Sequence, residues 1–229
     1  MKNPFIDFHP DQYQKREDNV ERISLASKDI MGAIIEGYLR TLEGEIANLA
    51  WTVEHHHVVK VYKAISETIQ ELRYNSYAIE AFCTELDHSG NIAYLVPGPA
   101  GLYISALVNH CREKRILLNL RDYRRTFHFL GYRLARGRTL IIQGDAGDFA
   151  GAGLFGGTLV VEGSVGNWCG SGMIEGKIRV GKNAGLQTGE WMHGGEIRVD
   201  AKINGTGREL FGGKIYAQRE LIFSIPPEK

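Results

Sequence analysis

The chain has 229 residues, 43% of them apolar, which is enough for one large domain or two small ones with a sizeable core. Its 27 basic side chains balance 27 acidic ones, so the total describes neither a polycation for nucleic acid nor an acidic tail, and any such role needs a local patch. The three cysteines, Cys83, Cys111 and Cys169, are widely spaced and form no C-x-x-C pair, which points to a reducing, cytoplasmic setting.

The first residues, MKNPFIDFHPDQYQKRED, lack the unbroken apolar core of a signal peptide, and no apolar run approaches the ~18 residues of a membrane span. A soluble protein with no membrane contact is expected. Ile30, Ile34, Tyr38, Leu42, Ile46 and Leu49 recur at helical spacing behind a Ser27 cap, and Val58, Tyr62, Ile65, Ile69 and Leu72 repeat the pattern, which predicts two packed helices. The triplet His55-His-His57 diverges by about 100° per residue on a helix and cannot face one metal. Alternation through Tyr77, Ile79, Ala81 and Cys83, the turn residues Asp87–Asn91 and the run Ile92–Val96 predict a hairpin, with a short helix over Ala78–Leu86 as the alternative. Pro97-Gly-Pro-Ala-Gly101 then breaks the chain ahead of an amphipathic helix over Leu102–Lys114 and a strand over Ile116–Leu120. This segment offers helix-start amides to an anion but lacks the lysine and hydroxyl of a phosphate loop, so an ordinary helix start is expected.

Most of the 28 glycines lie between Gly131 and Gly213, where the chain repeats itself. RTLIIQGDAGDFAGAGLFG (138–156), GTLVVEGSVGNWCGSGMIE (157–175) and GKIRVGKNAGLQTGEWMHG (176–194) align without gaps at a 19-residue period, GEIRVDAKINGTGRELFG (195–212) is one residue shorter, and GKIYA (213–217) begins another unit. Apolar residues fill the third position (Leu140, Leu159, Ile178, Ile197, Ile215) and the fifth (Ile142, Val161, Val180, Val199, Ala217). A five-residue strand returning every 19 residues with the same polarity cannot close hairpins and must stack in parallel at roughly 4.8 Å per coil. Gly147, Gly166 and Gly185 at the tenth position and Gly151, Gly170 and Gly189 at the fourteenth are the expected structural corners, needing positive φ or close backbone approach. The fourth unit, with Asn204, Gly205 and Gly207 out of register, predicts an irregular corner.

These repeats resemble the GXGXG β-helix family, which includes the C-terminal domain of the large chain of glutamate synthase and the β-helical component of formylmethanofuran dehydrogenase. The resemblance covers about residues 102–223, including the lead-in FLGYRLARGRTLIIQGDAGDFAGAGLFGGTLVVEG. Taken with the helical spacing of the N-terminal part, it implies a fold class of an α+β N-terminal segment followed by a right-handed, single-stranded parallel β-helix, all-β with a 19-residue repeat. With a boundary at the Pro97–Gly101 segment, the chain is expected to divide into a mainly helical part over 1–100, the β-helix with its leading helix over 101–223, and a tail over 224–229. In this family the β-helix supplies packing surfaces and channel walls. The nucleophilic cysteine, FMN barrel and iron–sulfur cluster of glutamate synthase have no counterpart here, since no cysteine precedes Cys83 and no cysteines cluster. No cofactor and no metal are expected.

Gly151-Ala-Gly153-Leu-Phe-Gly156 spells a dinucleotide-binding G-x-G-x-x-G, but a strand rather than a helix should follow at Thr158, so a β-helix corner is expected. Asp145 and Asp148 are read as capping backbone amides at a solvated corner rather than as ligands of a calcium roll. Trp168, Trp191 and Met192, beside His193, either line a groove or form an aromatic ladder. Arg112, Lys114, Arg115, Arg121, Arg124, Arg125, Arg133, Arg136 and Arg138, interleaved with Tyr123, Phe127, Phe129 and Tyr132, form a basic run; Arg121, Arg124, Arg125, Arg133 and Arg136 are its candidate partner or anion contacts. The reading that follows is a non-catalytic scaffolding subunit of a multi-component enzyme, with other protein subunits as partners and homo-oligomerisation through the β-helix ends as a further option. Two alternatives stand beside it: a stand-alone enzyme drawing on His128, Asp145, Asp148 and His193, and a phosphate- or nucleic-acid-binding module using the arginines.

Overall fold

The structure is a computed structural model that describes residues 17–43, 55–88 and 97–226, with side chains over 28–42, 58–87 and 98–226. Helix α1 spans Glu17–Glu43 and passes straight through Ser27. No breaker separates Glu17 from Ser27, and the glutamates, arginine, leucine and alanine between and beyond them favour helix, so a cap at Ser27 has no boundary to mark. Ile46 and Leu49 lie outside the described residues. Helix α2 spans His55–Ile69 and packs on α1.

Helix α3, Ser76–His88, stands in place of the first strand of the expected hairpin. Ile79, Phe82, Cys83 and Leu86 are all fully buried at helical spacing, a pattern that a strand facing its core with every second residue cannot supply. The hairpin's other half, Ile92–Val96, lies outside the described residues. Helix α4 runs Pro97–His110, with proline suited to its first turn. It is not amphipathic: residues 98–108 are buried on every side. One face meets α1–α3, where Tyr103 Oη donates to Ile34 O at 2.9 Å and Tyr38 makes edge contacts with Phe82 and Tyr103. The other meets the first β coil so closely that a Cβ at Gly101 would stand 1.6 Å from the carbonyl oxygen of His128.

Seven strands follow in one sheet whose order is the chain order: β1 (Arg115–Asn119), β2 (Thr139–Gln143), β3 (Phe155–Val161), β4 (Glu175–Val180), β5 (Glu196–Val199), β6 (Gly213–Ala217) and β7 (Glu220–Ile225). Strands β1 to β6 are parallel, as a β-helix requires. The register stacks Ile116, Leu140, Leu159, Ile178, Ile197 and Ile215 in one column and Leu118, Ile142, Val161, Val180, Val199 and Ala217 in a second. Every member but Ala217 is essentially shut off from solvent, which gives the coils a continuous aliphatic interior. A second line of bridges joins Ala146, Val165, Ala184 and Ile203 on another side of the coil.

Two features extend the repeat beyond residues 138–217. Strand β1 is its first rung, although Arg115 pairs with Thr139, 24 residues on rather than 19. The surplus falls in the loop ahead of Phe127, which α3 holds: Asp87 accepts the amides of Arg124 (3.3 Å) and Arg125 (3.0 Å). At the far end β7 turns back antiparallel to β6 through Gln218 and Arg219, both at positive φ, a two-residue turn of the kind that suits a twisted hairpin.

The six corner glycines divide by physical cause. Gly151, Gly170 and Gly189 have φ of 69°, 69° and 78°, whereas Gly147, Gly166 and Gly185 lack positive φ and are required by close approach alone. Both demands meet at Gly170, where a Cβ would also stand 2.5 Å from Ile197 Cδ1. Gly172 has the same left-handed backbone (φ 63°) with open space around it. Gly172→Ala should therefore cost about 1–2 kcal/mol of unfolding free energy, and Gly170→Ala about 1–3 kcal/mol more from overpacking. Urea denaturation of the two variants checks the difference, and equal losses would remove the case for close packing.

Candidate functional site

Polar side chains on the solenoid are arranged in two ladders that run along its axis. In the first, the Asp148 amide donates to His128 Nδ1 (3.0 Å), the Asn167 amide to Asp148 Oδ1 (2.7 Å) and the Leu186 amide to Asn167 Oδ1 (2.8 Å). In the second, the Ser164 amide donates to Asp145 Oδ1 (2.7 Å), the Asn183 amide to Ser164 Oγ (3.4 Å) and the Lys202 amide to Asn183 Oδ1 (3.2 Å). Each side chain thus satisfies a backbone donor one coil along, as a capping residue does at a helix start. The short fourth unit receives a stronger version: buried Glu190 accepts the amides of Arg208 and Glu209, both at 2.9 Å.

This arrangement decides what the sequence-nominated catalytic residues do. His128 and Asp148 come together, with Nδ1 also 3.5 Å from Asp148 Oδ2. Because Nδ1 accepts an amide proton, the neutral ring carries its own proton on Nε2. Asp145 belongs to the other ladder. His193 lies three coils beyond His128, roughly 14 Å along the axis, and two beyond Asp145 and Asp148, and it stacks on Phe211 with ring centroids 4.9 Å apart. The four do not converge on one point. The thiols are equally withdrawn: all three cysteines are free and buried, and burial pushes the Cys169 thiol up to about 12 and raises those of Cys83 and Cys111. Among the described residues no group of three or more His, Cys, Asp or Glu side chains could hold a metal ion. The side chains of His55–His57 fall outside those residues; their backbone begins α2.

The arginine run is distributed over several structural tasks. Arg121 pairs with Glu162 at 2.7 Å, Arg136 pairs with Glu175, and Arg138 donates to the Val108 and Glu113 carbonyls at 3.0 and 3.1 Å, covering the end of α4. Arg124 and Arg125 are anchored through their amides to Asp87, and the Arg133 amide donates to Ala152 O at 3.0 Å. The side chains of Arg121, Arg124, Arg133 and Arg136 are exposed, but half of these four are matched by carboxylates.

Aromatic residues divide between a partly buried stack and open surface. Phe129, Phe149 and Trp168 stack nearly parallel, with centroids 4.7 and 5.0 Å apart, so Trp168 belongs to an aromatic ladder. Trp191 does not; it is 47% exposed, and its indole donates to Glu209 at 3.0 Å. Phe155 (51% exposed), Ile174 (49%), His193 and Phe211 (46%) occupy equivalent sites of successive coils, their amides donating in the same manner to the Leu134, Leu154, Met173 and Met192 carbonyls of the coil before. They form a largely apolar stripe parallel to the solenoid axis. Sequence reasoning missed this stripe, although its signal was present: each member stands two residues before the glycine that opens the next unit. The Gly151–Gly156 motif turns a corner directly into β3, with no helix to hold a dinucleotide.

Among the described residues no helix is long and apolar enough to cross a membrane. Compared with family models, curated proteins and solved structures, the chain matches none. The ladder chemistry has a direct test. Asp148→Asn should keep its stability, because an amide oxygen serves the same purpose at Asn167, while Asp148→Ala should lose about 1–2 kcal/mol. Urea denaturation distinguishes the two, and equal losses would mean that the charge, rather than the acceptor, matters.

Proposed function

We propose that the chain is a non-catalytic scaffolding subunit of a multi-component enzyme, of the glutamate-synthase-like or formyl-transfer kind. The observation that carries this reading is the use made of His128, Asp145, Asp148, Asn167 and Glu190, each of which accepts backbone amides, while His193 stacks on Phe211 away from them. Groups committed to holding coils in register are poorly placed to move protons for a substrate.

The stripe supports the same reading. Phe155, Ile174 and Phe211 leave a line of exposed apolar side chains along the coils, broken by His193, a pattern that marks contact with another protein more often than a substrate pocket. The resemblance of the 19-residue repeat to GXGXG β-helices indicates the kind of assembly, since in that family the β-helix packs against domains that carry the chemistry.

The experiment is purification of the chain at native abundance from its own extract, followed by native mass spectrometry. A stoichiometric complex with an enzyme subunit is expected, and Phe155→Asp/Ile174→Asp should release that subunit while leaving the melting temperature unchanged, since both side chains are about half exposed. A chain that carries no enzyme subunit, or a complex indifferent to the double substitution, would overturn the reading.

A further inference from the structure

The two ends of the sheet are finished differently. On the amino-terminal side, α3 packs against β1, Ser105 Oγ donates to Phe129 O at 2.8 Å, and Asn109 Nδ2 donates to Tyr132 O at 3.1 Å. Helices therefore cover the first coil. On the carboxy-terminal side β7 is the last strand, and among the described residues no strand pairs with its outer edge. Such an edge presents a row of backbone donors and acceptors suited to one kind of occupant, another strand.

The side chains of β7 suit the same occupant. Leu221 is 53% exposed and its neighbour Ile222 45%, so consecutive apolar residues meet solvent. No charged residue lies between Glu220 and Pro226. A register irregularity opposite Ile215 and Tyr216, together with Pro226, is what blunts this edge, in place of the inward charges or lysines that commonly protect one.

We propose that two copies of this chain join through β7, antiparallel about a two-fold axis, so that the sheet continues from one protomer into its partner. An antiparallel strand pair is self-complementary, which is what an isologous dimer requires. Head-to-tail growth is disfavoured by the same structure, because the surface that would receive β7, the β1 side, is covered by helices. The assembly thus closes at two. A standard interface buries about 800 Å² on each partner, more than one six-residue strand provides. The adjoining rim of the last coil adds area: Gly213, which pairs with Ile225, follows two residues after half-exposed Phe211, and Leu210 and Phe223 are only partly buried. This pairing goes beyond the scaffolding role and leaves the Phe155–Ile174 part of the stripe open to a different subunit.

Sedimentation velocity of the full chain tests the proposal, at about 10 µM and about 0.1 µM so as to bracket the micromolar affinity expected of a small interface. A dimer at the higher concentration is expected, and Leu221→Lys/Ile222→Lys should convert it to monomer with an unchanged circular dichroism spectrum. A monomer at both concentrations, an open-ended series of oligomers, or a dimer that survives the double lysine substitution would each overturn it. Should the variant fail to fold, hydrogen exchange on the wild-type chain decides: protection of residues 220–225 should rise with concentration, and protection independent of concentration would refute the pairing.

Discussion

Successive coils of the solenoid meet through hydrogen bonds made at the same place in each repeat, with the amides of Gly151, Gly170 and Gly189 donating to the carbonyls of Leu130, Ala150 and Cys169, all at 2.8 Å. Holding that contact in register constrains every other choice in the coil. At the tight bends it removes the Cβ. Inside, it calls for aliphatic side chains of similar size at two fixed positions, so that Leu140 rests on Leu159 and Leu159 on Ile178. Where strand pairing ends, it leaves backbone amides to be satisfied by short polar side chains, and the Asp145 and Asp148 ladders supply them.

The ends follow from the same constraint, since a stack of identical rungs has no natural terminus. Helix α4 closes one end because its own residues reproduce what a preceding coil would offer: Ser105 and Asn109 provide donors to the first coil's carbonyls, and Gly101 lets the two backbones approach. The other end reverses direction at β7, which prevents a further parallel rung and leaves a single antiparallel edge.

The legible parts of the sequence are those set by periodicity. Both aliphatic columns can be read from the 19-residue spacing, and the capping roles of Asp145 and Asp148 from the chemistry of short polar side chains at a turn. Strand β1 is recognisable as a strand but not as a rung, because four of its five extra residues separate it from the Phe129-x-Gly131-x-Arg133 turn that aligns with Phe149-x-Gly151-x-Gly153 at a 20-residue offset. The β6–β7 turn gives no signal, since Gln218 and Arg219 adopt positive φ without glycine or asparagine. Helix α3 is ambiguous because Tyr77, Ile79, Ala81 and Cys83 fit an alternating period over a short window, and only burial of Phe82 and Leu86 separates the two patterns. The stripe's positions recur visibly, two residues ahead of each opening glycine, but its exposure does not show, because nothing local distinguishes an apolar residue in the core from one on the surface.

Asp145, Asp148, Asn167 and Glu190 serve the backbone of the next coil, and the scaffolding role proposed for this chain depends on that commitment. Residue-resolved hydrogen exchange on the full chain examines it most directly at Ser164, Asn167 and Leu186, whose amides donate to side-chain oxygens rather than to strand partners. These amides should exchange as slowly as those of Gly151 and Gly170 in the same stack, through a shared cooperative opening. Exchange at the rate of an open loop would mean that Asp145, Asp148 and Asn167 are not held by the coils, are free for other chemistry, and do not have the structural role assigned to them.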